Sequence, residues 1–142
     1  MRLTQLSDYA LRLLMYAAAR KERLITIEET ARMYGISRAH LMKIANILTR
    51  AGYLKAVRGR SGGLILAKPA DKIRLSDVIR TTEPDCALVE CFASGNECII
   101  TSRCRMRGVL KEALSAFLET LDRYTLADLM LRPKDFGLLP AA

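Results

Sequence analysis

The residues best suited to chemistry are four cysteines that lie within nineteen positions, Cys86, Cys91, Cys98 and Cys104. Thiolates are soft ligands for zinc and for iron–sulfur clusters, and they also react with oxidants. The chain has no cysteine elsewhere and one histidine, His40. Any soft-metal or redox chemistry is therefore predicted to centre on this one segment.

The spacing of the cysteines bears on the kind of site they form. Their gaps of four, six and five residues differ from the closely spaced pairs typical of tetrahedral zinc sites. Wide, irregular spacing favours a loop wrapped around an iron–sulfur cluster, whose iron atoms each take a protein ligand. A zinc site with unusual spacing, a reversible disulfide switch and unrelated thiols stay open as alternatives. Arg103, Arg105 and Arg107 fit each reading, because positive charge lowers thiolate pKa and balances an anionic cluster.

Catalysis is the competing class of function, and the residues argue against it. A cysteine nucleophile needs a base such as histidine, but the single histidine, His40, lies outside the cysteine segment. No other acid–base constellation accompanies it. The glycine-rich stretch Arg58–Gly63 matches neither of the two common phosphate-loop motifs. The chain is therefore predicted not to be an enzyme.

Charge is divided unevenly along the chain. Residues 1–70 hold 13 Lys or Arg against 4 Asp or Glu, whereas residues 71–142 hold 10 against 11. A polyanionic partner, most simply double-stranded DNA, explains why one half carries the whole excess. The apolar content is ample for a core, but no run of eighteen apolar residues occurs. We therefore expect no membrane span, no secretory signal and a cytoplasmic protein.

Helical periodicity dominates the first fifty residues. A first helix is predicted from Thr4 to about Arg20. The sequence Thr26-Ile-Glu-Glu29 is a capping box that opens a second helix, which Gly35 ends. Ser37 caps a third helix, whose core-facing stripe consists of Leu41, Ile44, Ala45 and Leu48. Two short helices joined at a glycine predict a helix-turn-helix.

A glycine-rich hairpin is predicted directly after the third helix. Strands from Tyr53 to Val57 and from Leu64 to Ala67 flank the turn Arg58–Gly63. A hairpin in this place predicts the wing of a winged helix. Its arginines are placed to approach phosphates or to enter the minor groove.

The remainder is predicted to be helical around the cysteine segment. A short helix from Leu75 to Thr82, capped by Ser76, precedes it, and a long helix from Arg105 to about Arg123 follows. The apolar stripe of the long helix consists of Leu110, Leu114, Phe117, Leu121 and Tyr124. Such a stripe lines either a monomer core or a dimer seam. We favour a seam, because the winged helix already has its own core.

Together these elements predict a mainly α protein with a small β-hairpin wing, that is, a winged helix-turn-helix domain plus a long C-terminal dimerisation helix. The DNA-binding domain is expected over 1–83, with its first helix also supporting the dimer. A cluster-binding loop is expected over 84–104. Residues 105–131 are predicted to form the dimerisation helix and a short terminal helix, followed by a loosely ordered tail over 132–142.

At this point the residues resemble a known family, the winged-helix iron–sulfur regulators that include IscR, RirA and NsrR. The resemblance runs from Met1-Arg-Leu-Thr-Gln through Arg58-Gly-Arg-Ser-Gly-Gly-Leu to Thr125-Leu-Ala-Asp-Leu. Within the family, Ser7-Asp8-Tyr9 and the segment Cys98-Ile-Ile-Thr-Ser-Arg-Cys104 are most similar to the nitric-oxide-sensing repressors. The resemblance implies a homodimer that binds promoter DNA and is released when nitric oxide nitrosylates the cluster. An iron- or redox-responsive regulator like RirA, or a winged-helix DNA binder with a zinc or thiol site, is the alternative.

The same resemblance implies the ligands of a 4Fe–4S cluster, with 2Fe–2S as the alternative. Three ligands fall on Cys91, Cys98 and Cys104, and the fourth falls on Asp8, donated by the partner subunit. Cys86 lies outside this set. Arg107 stands where the IscR members carry a histidine ligand, which disfavours an IscR role.

The resemblance also implies which residues contact DNA. Candidates at the start of the third helix are Ser37, Arg38, Ala39, His40 and Lys43. Candidates in the wing are Arg58, Arg60 and Ser61. The helix residues are expected to read bases and the wing arginines to bind the backbone.

Overall fold

Three helices form the first part of the computed structural model, which describes residues 1–21 and 23–137. They are α1 (Gln5–Ala19), α2 (Ile27–Tyr34) and α3 (Arg38–Arg50). A hydroxyl residue precedes each helix, and its side chain accepts the backbone N–H of the third helical residue. These capping residues are Thr4, Thr26 and Ser37. Gly35 ends α2 in the left-handed conformation, with φ of 66°. The predicted helix-turn-helix is confirmed.

An antiparallel hairpin follows α3, as predicted for a wing. Strands β1 (Leu54–Val57) and β2 (Gly63–Leu66) pair from Leu54 opposite Leu66 to Val57 opposite Gly63. Ile25 extends the sheet by an isolated bridge to Leu64. A Cβ at Gly63 would lie 2.5 Å from the carbonyl oxygen of Ile25, so this close approach requires glycine.

The core of the molecule lies where α1 meets α3 and α4 (Leu75–Thr82). Its fully buried side chains include Leu13 of α1, Leu48 of α3 and Val78 of α4. Leu126, beyond the long helix, is also fully buried, and its N–H donates to the Ile73 carbonyl at 2.8 Å. The chain therefore returns to the first domain after the cysteine segment and the long helix.

Helix α4 has the predicted bounds but a different start. Arg74 occupies its N-cap position without a side-chain cap. Ser76, predicted as the cap, is buried inside the helix and donates to Asp122 at the end of the long helix. The prediction was wrong because a hydroxyl near a helix start also serves long-range contacts, which sequence does not reveal.

The long helix α5 (Arg105–Asp122) has eighteen residues and none of them is buried. The last turn of α5 contacts α4. There Asp122 accepts a hydrogen bond from Ser76 and pairs with Arg80 at 3.4 Å. Met106 and Val109, in its first turns, and Phe117 are exposed apolar side chains. A helix this long with no buried residue therefore leaves part of its apolar surface open to solvent in the described chain.

The end of the chain folds back onto the helix-turn-helix. Pro133–Phe136 is a short 3-10 helix, and the Arg132 N–H donates to Asp135 at 2.9 Å. The Phe136 ring lies edge-on to Tyr16, with ring centroids 5.4 Å apart. The predicted loose tail is therefore wrong for 132–137, because an aromatic anchor and a carboxylate cap order it. Residues 138–142 of that prediction lie outside the described residues.

None of the helices in the described ranges has the length and apolar character needed to cross a membrane.

Candidate DNA-binding surface and cysteine loop

The start of α3 presents a continuous exposed surface. Its inward stripe is buried, which leaves the other face of the helix outside. The exposed residues include every candidate reader predicted here: Ser37, Arg38, Ala39, His40 and Lys43. The structure thus brings them together on the first two turns of one helix, in the place where a helix-turn-helix protein contacts base edges.

Met42 belongs to the same surface, although the prediction omitted it. Its side chain is exposed, and it lies four residues after Arg38, so the helical period could have identified it. An apolar side chain in this position suits contact with a thymine methyl group.

The tip of the wing carries Arg58, Arg60 and Ser61, all exposed. Gly59, with φ of 114°, turns the chain between the two arginines. A Cβ at Gly62 would lie 2.3 Å from the Val57 carbonyl oxygen. The tight turn therefore depends on glycine, and it holds two guanidinium groups at the outer end of the hairpin.

The cysteine loop, residues 84–104, links α4 to α5. Cys91 lies in a short 3-10 helix, Glu90–Phe92, and Cys104 is the residue immediately before α5. Cys98 is exposed, and its N–H donates to Asn96 Oδ1 at 3.1 Å. Glu90 accepts the Glu97 N–H at 2.7 Å. Local polar contacts rather than apolar burial therefore shape this loop.

The donor set fits a soft metal or cluster in chemistry. All four thiols are free of disulfides and lie on this one loop, which carries Arg103 and is followed by Arg105 and Arg107 at the start of α5. Within the described ranges, however, no three Cys, His, Asp or Glu side chains are grouped closely enough to hold a metal ion. The single chain thus supplies suitable ligands on a loop that is not closed around a common centre.

Cys86 differs from the other three cysteines. Its backbone is left-handed, with φ of 50°. Burial, together with the negative charges of Glu83 and Asp85, raises the pKa of its thiol. A thiol with a raised pKa is a poor metal ligand near neutral pH, which agrees with setting Cys86 apart.

Asp8, the candidate fourth ligand, is paired within its own chain. It accepts from Arg12 Nε at 2.9 Å and from Arg12 Nη2 at 2.8 Å. The two side chains remain 45% and 43% exposed, so this pair is open to a second molecule. The hydrogen bonds from Arg12 to Asp8 raise the pKa of the guanidinium.

Aromatic rings connect this pair to the helix-turn-helix. The Arg12 guanidinium lies 5.6 Å from the centre of the Tyr9 ring and 6.0 Å from that of Tyr34. The Tyr34 hydroxyl donates to the Arg12 carbonyl at 3.0 Å. Tyr9 in turn lies 6.2 Å from the His40 ring on α3. Contacts therefore run from Asp8 to the first turn of the candidate reading helix.

A buried polar cluster joins the start of α1 to the start of the cysteine loop. Glu83 accepts from the Thr4 N–H at 2.9 Å and also from the Ser7 hydroxyl. Ser7 and Thr82, both buried, share a hydrogen bond of 2.7 Å. The prediction missed this cluster because its partners are more than seventy positions apart and each residue alone is an ordinary cap or helix end.

The chain is similar to known proteins over most of its length. Residues 3–132 match the family model Rrf2, described as "Iron-dependent Transcriptional regulator". The chain is 47% identical to protein aau3 of Rhizobium meliloti (strain 1021) over 131 residues. These aligned residues cover 92% of this chain and 85% of that protein.

Solved structures of transcriptional regulators share the fold. CymR of B. subtilis, the global cysteine regulator, is 25% identical with a TM-score of 0.72, over 91% of this chain and 95% of that one. IscR of T. potens is 24% identical with a TM-score of 0.73, over 100% of this chain and 94% of that one. At that identity the likeness to IscR concerns the fold alone.

Proposed function

Because the chain belongs to the Rrf2 family of transcriptional regulators, which bind DNA, we propose that it is a repressor that senses nitric oxide through an iron–sulfur cluster, as NsrR does. The observation that carries the proposal is that one chain contains both a candidate DNA-binding surface and a loop of free thiols. An exposed helix-turn-helix with a basic wing is followed, after α4, by a loop with no buried residue that carries four free thiols, three of which are the proposed ligands.

The DNA-binding role rests on exposure and charge. The outer face of α3 and the wing tip are free of the core, and residues 1–70 carry 13 basic against 4 acidic side chains. Lys43 and Arg38 suit base edges in the major groove, while Arg58 and Arg60 suit phosphates. We assign sequence reading to α3 and non-specific affinity to the wing.

Helix α5 supports a homodimer. None of its eighteen residues is buried, and two copies packed along the apolar stripe would cover the side chains that are exposed in one chain. Two helix-turn-helix units in a symmetric dimer read half-sites about one helical turn apart. We therefore assign 1–83 to DNA binding, 84–104 to the cluster and 105–131 to dimerisation.

Cys91, Cys98 and Cys104 would hold the cluster, which we take to be 4Fe–4S, with 2Fe–2S as the alternative. Asp8 of the partner subunit would complete the set. When bound, the cluster supplies iron that reacts with nitric oxide. Asp8 has two competing partners in this scheme, the iron of the other subunit and Arg12 of its own chain.

The chain's own residues supply a route to the DNA. When Asp8 leaves the cluster site it pairs with Arg12, as observed here at 2.8 Å. Arg12 packs between Tyr9 and Tyr34, and Tyr9 contacts His40 on α3. An exchange of partners at Asp8 would therefore alter the packing beneath the reading helix and lower its fit to the operator.

Metal content and visible absorbance test the ligand assignment. Protein purified without oxygen should contain iron and sulfide and absorb in the visible range. Cys91→Ala, Cys98→Ala and Cys104→Ala should each lose iron, whereas Cys86→Ala should retain it. Zinc in place of iron, or loss of iron only in Cys86→Ala, would contradict the proposal.

An iron-responsive regulator is the second candidate, and the description of the matched family as iron-dependent favours it. The same three thiols would then report whether iron is available. Chelation of iron should release such a protein from DNA with little effect of nitric oxide. Release by stoichiometric nitric oxide in excess iron would favour the nitric-oxide sensor.

A further inference from the structure

Arg38, the first residue of the candidate reading helix, is met by a carboxylate from the preceding helix. Glu28 Oε2 lies 3.0 Å from Arg38 Nε, and Glu28 Oε1 lies 3.8 Å from Arg32 Nη2. The side chains of Arg38 and Glu28 are 66% and 53% exposed. An acid thus stands at the edge of a surface that is otherwise basic and open to DNA.

Stability is a weak explanation for this contact. Ion pairs between exposed side chains contribute little to folding. The first turn of α2 favours an acid through the helix dipole, but the Glu29 carboxylate already lies there and accepts from the Thr26 hydroxyl at 3.3 Å. The carboxylate of Glu28 instead reaches across to the next helix.

The start of α3 carries positive charge and no acidic side chain of its own. Its first turn contains no acidic residue and begins with Arg38. Backbone N–H groups and a guanidinium in this place attract any phosphate. Glu28 supplies the missing negative charge from outside the helix, so it competes with phosphates for Arg38.

The atoms in contact also orient the guanidinium. Glu28 approaches Nε, the inner nitrogen of Arg38, whereas a guanine edge accepts most often from a pair of arginine N–H groups. A carboxylate 3.0 Å from Nε favours those rotamers of Arg38 that keep this contact, and the contact is made through the inner nitrogen rather than through an Nη group. A restricted arginine recognises one base at a smaller entropic cost than a free one.

We propose that Glu28 is a specificity-determining positioning residue. It orients Arg38 toward a base and keeps it from phosphates of unrelated DNA, and this inference rests on the proposed reading of DNA by α3. Glu28→Gln should raise affinity for random duplex while lowering discrimination. One additional phosphate contact corresponds to a salt slope steeper by about 0.9 and to about fivefold tighter non-specific binding near 0.15 M salt.

The experiment uses the full chain, a random 30-base-pair duplex, and the site that the wild-type protein enriches from a randomised library. Affinities are measured for both duplexes over a series of salt concentrations. Asp71→Asn, at an exposed position outside α2, α3, the wing tip and α5, makes the same change of charge and should leave both affinities unchanged. Arg38→Ala and the double variant Glu28→Gln/Arg38→Ala complete a double-mutant cycle, which measures the coupling between the two residues.

The expected result is a specific-to-random affinity ratio about tenfold lower in Glu28→Gln, with no further effect of that change once Arg38 is alanine. An unchanged ratio and salt slope, or an equal effect in the Arg38→Ala background, would overturn the inference while leaving the proposed DNA-binding function intact. If the wild-type chain enriched no site at all, the proposed function would fail and this inference with it.

Discussion

The winged-helix part and the segment from Glu83 to Thr125 differ in how they use apolar side chains. In the first, Leu13, Leu41 and Leu48 are fully buried. In the second, no residue is buried, and the side chain of Ile99, next to Cys98, is 96% exposed. The winged-helix part buries its apolar side chains within a single chain. The segment from Glu83 to Thr125 leaves apolar side chains and thiols accessible to a ligand or a second subunit.

In the proposed function, this difference separates the part that holds the protein together from the part that would respond to a signal. A region packed around its own core keeps its shape whether or not a ligand is present. A segment with no buried residue and few long-range contacts opens at low cost. We therefore expect changes in the core to affect unfolding, and changes in the loop or in α5 to affect assembly, metal binding and response.

The largest effect on stability is expected in the core. Leu48→Ala removes a fully buried side chain and should lower the free energy of unfolding by about 2–5 kcal/mol. Met106→Ala, on the exposed start of α5, should change it far less in the monomer. Urea unfolding followed by circular dichroism compares the two, and similar losses in both variants would remove the distinction between the regions.

Dimerisation should depend on the stripe of α5. Phe117→Asp places a charge in the proposed seam and should weaken self-association by about a hundredfold or more, since an unpaired charge is buried on assembly. Ser115→Asp adds the same charge on another face and serves as the control. Sedimentation velocity measures both, and a dimer that tolerates Phe117→Asp would contradict the seam.

The polar cluster between the two regions should have an intermediate effect. Ser7→Ala leaves buried Thr82 without its hydroxyl partner and should cost about 1–3 kcal/mol of unfolding free energy. Because Glu83 also begins the cysteine loop, thiol labelling at Cys91 and Cys98 should become faster. Labelling at the wild-type rate would show that the cluster stabilises α1 without restraining the loop.

A smaller effect should come from Glu29 as the pH falls. Burial opposes ionisation there, but hydrogen bonds from Arg23 and Tyr16 outweigh it and hold the pKa of Glu29 below its ordinary value of 4.5. A lowered pKa in the folded state stabilises the protein above pH 4.5, and this contribution is lost as the pH falls through the folded value.

Unfolding of the wild type and of Glu29→Gln between pH 7 and pH 3 measures that contribution. The stability difference between them should shrink as the pH falls. A difference that stays constant over this range would show that ionisation of Glu29 contributes nothing.

Local signals made the folded region predictable. Thr26, Gly35 and Ser37 specify helix ends within a few residues, and the stripe from Leu41 to Leu48 specifies the buried face of α3. The wing followed from glycines placed where the chain makes tight turns. These features act over three or four residues, which is the range that a sequence pattern reveals.

Contacts between distant residues were not predictable in the same way. Ser76 was predicted to cap α4, but its hydroxyl donates to Asp122. Glu83 accepts a hydrogen bond from the Thr4 N–H, although the two residues are 79 positions apart in the sequence. Phe136 gave no sign that it would pack on Tyr16. The cysteines were identifiable by type and spacing, but the described residues do not group them around a common centre. In our proposal a metal and a second subunit would complete that site, and no local sequence pattern reports either of them.

The most direct test is a nitric oxide titration of the cluster-loaded dimer with DNA binding followed in the same samples. We expect visible absorbance and operator affinity to fall together at a few equivalents of nitric oxide. Asp8→Ala should bind the operator weakly before any is added. Retention of full operator affinity after the absorbance has changed would contradict the account, because signal and DNA reading would then be uncoupled.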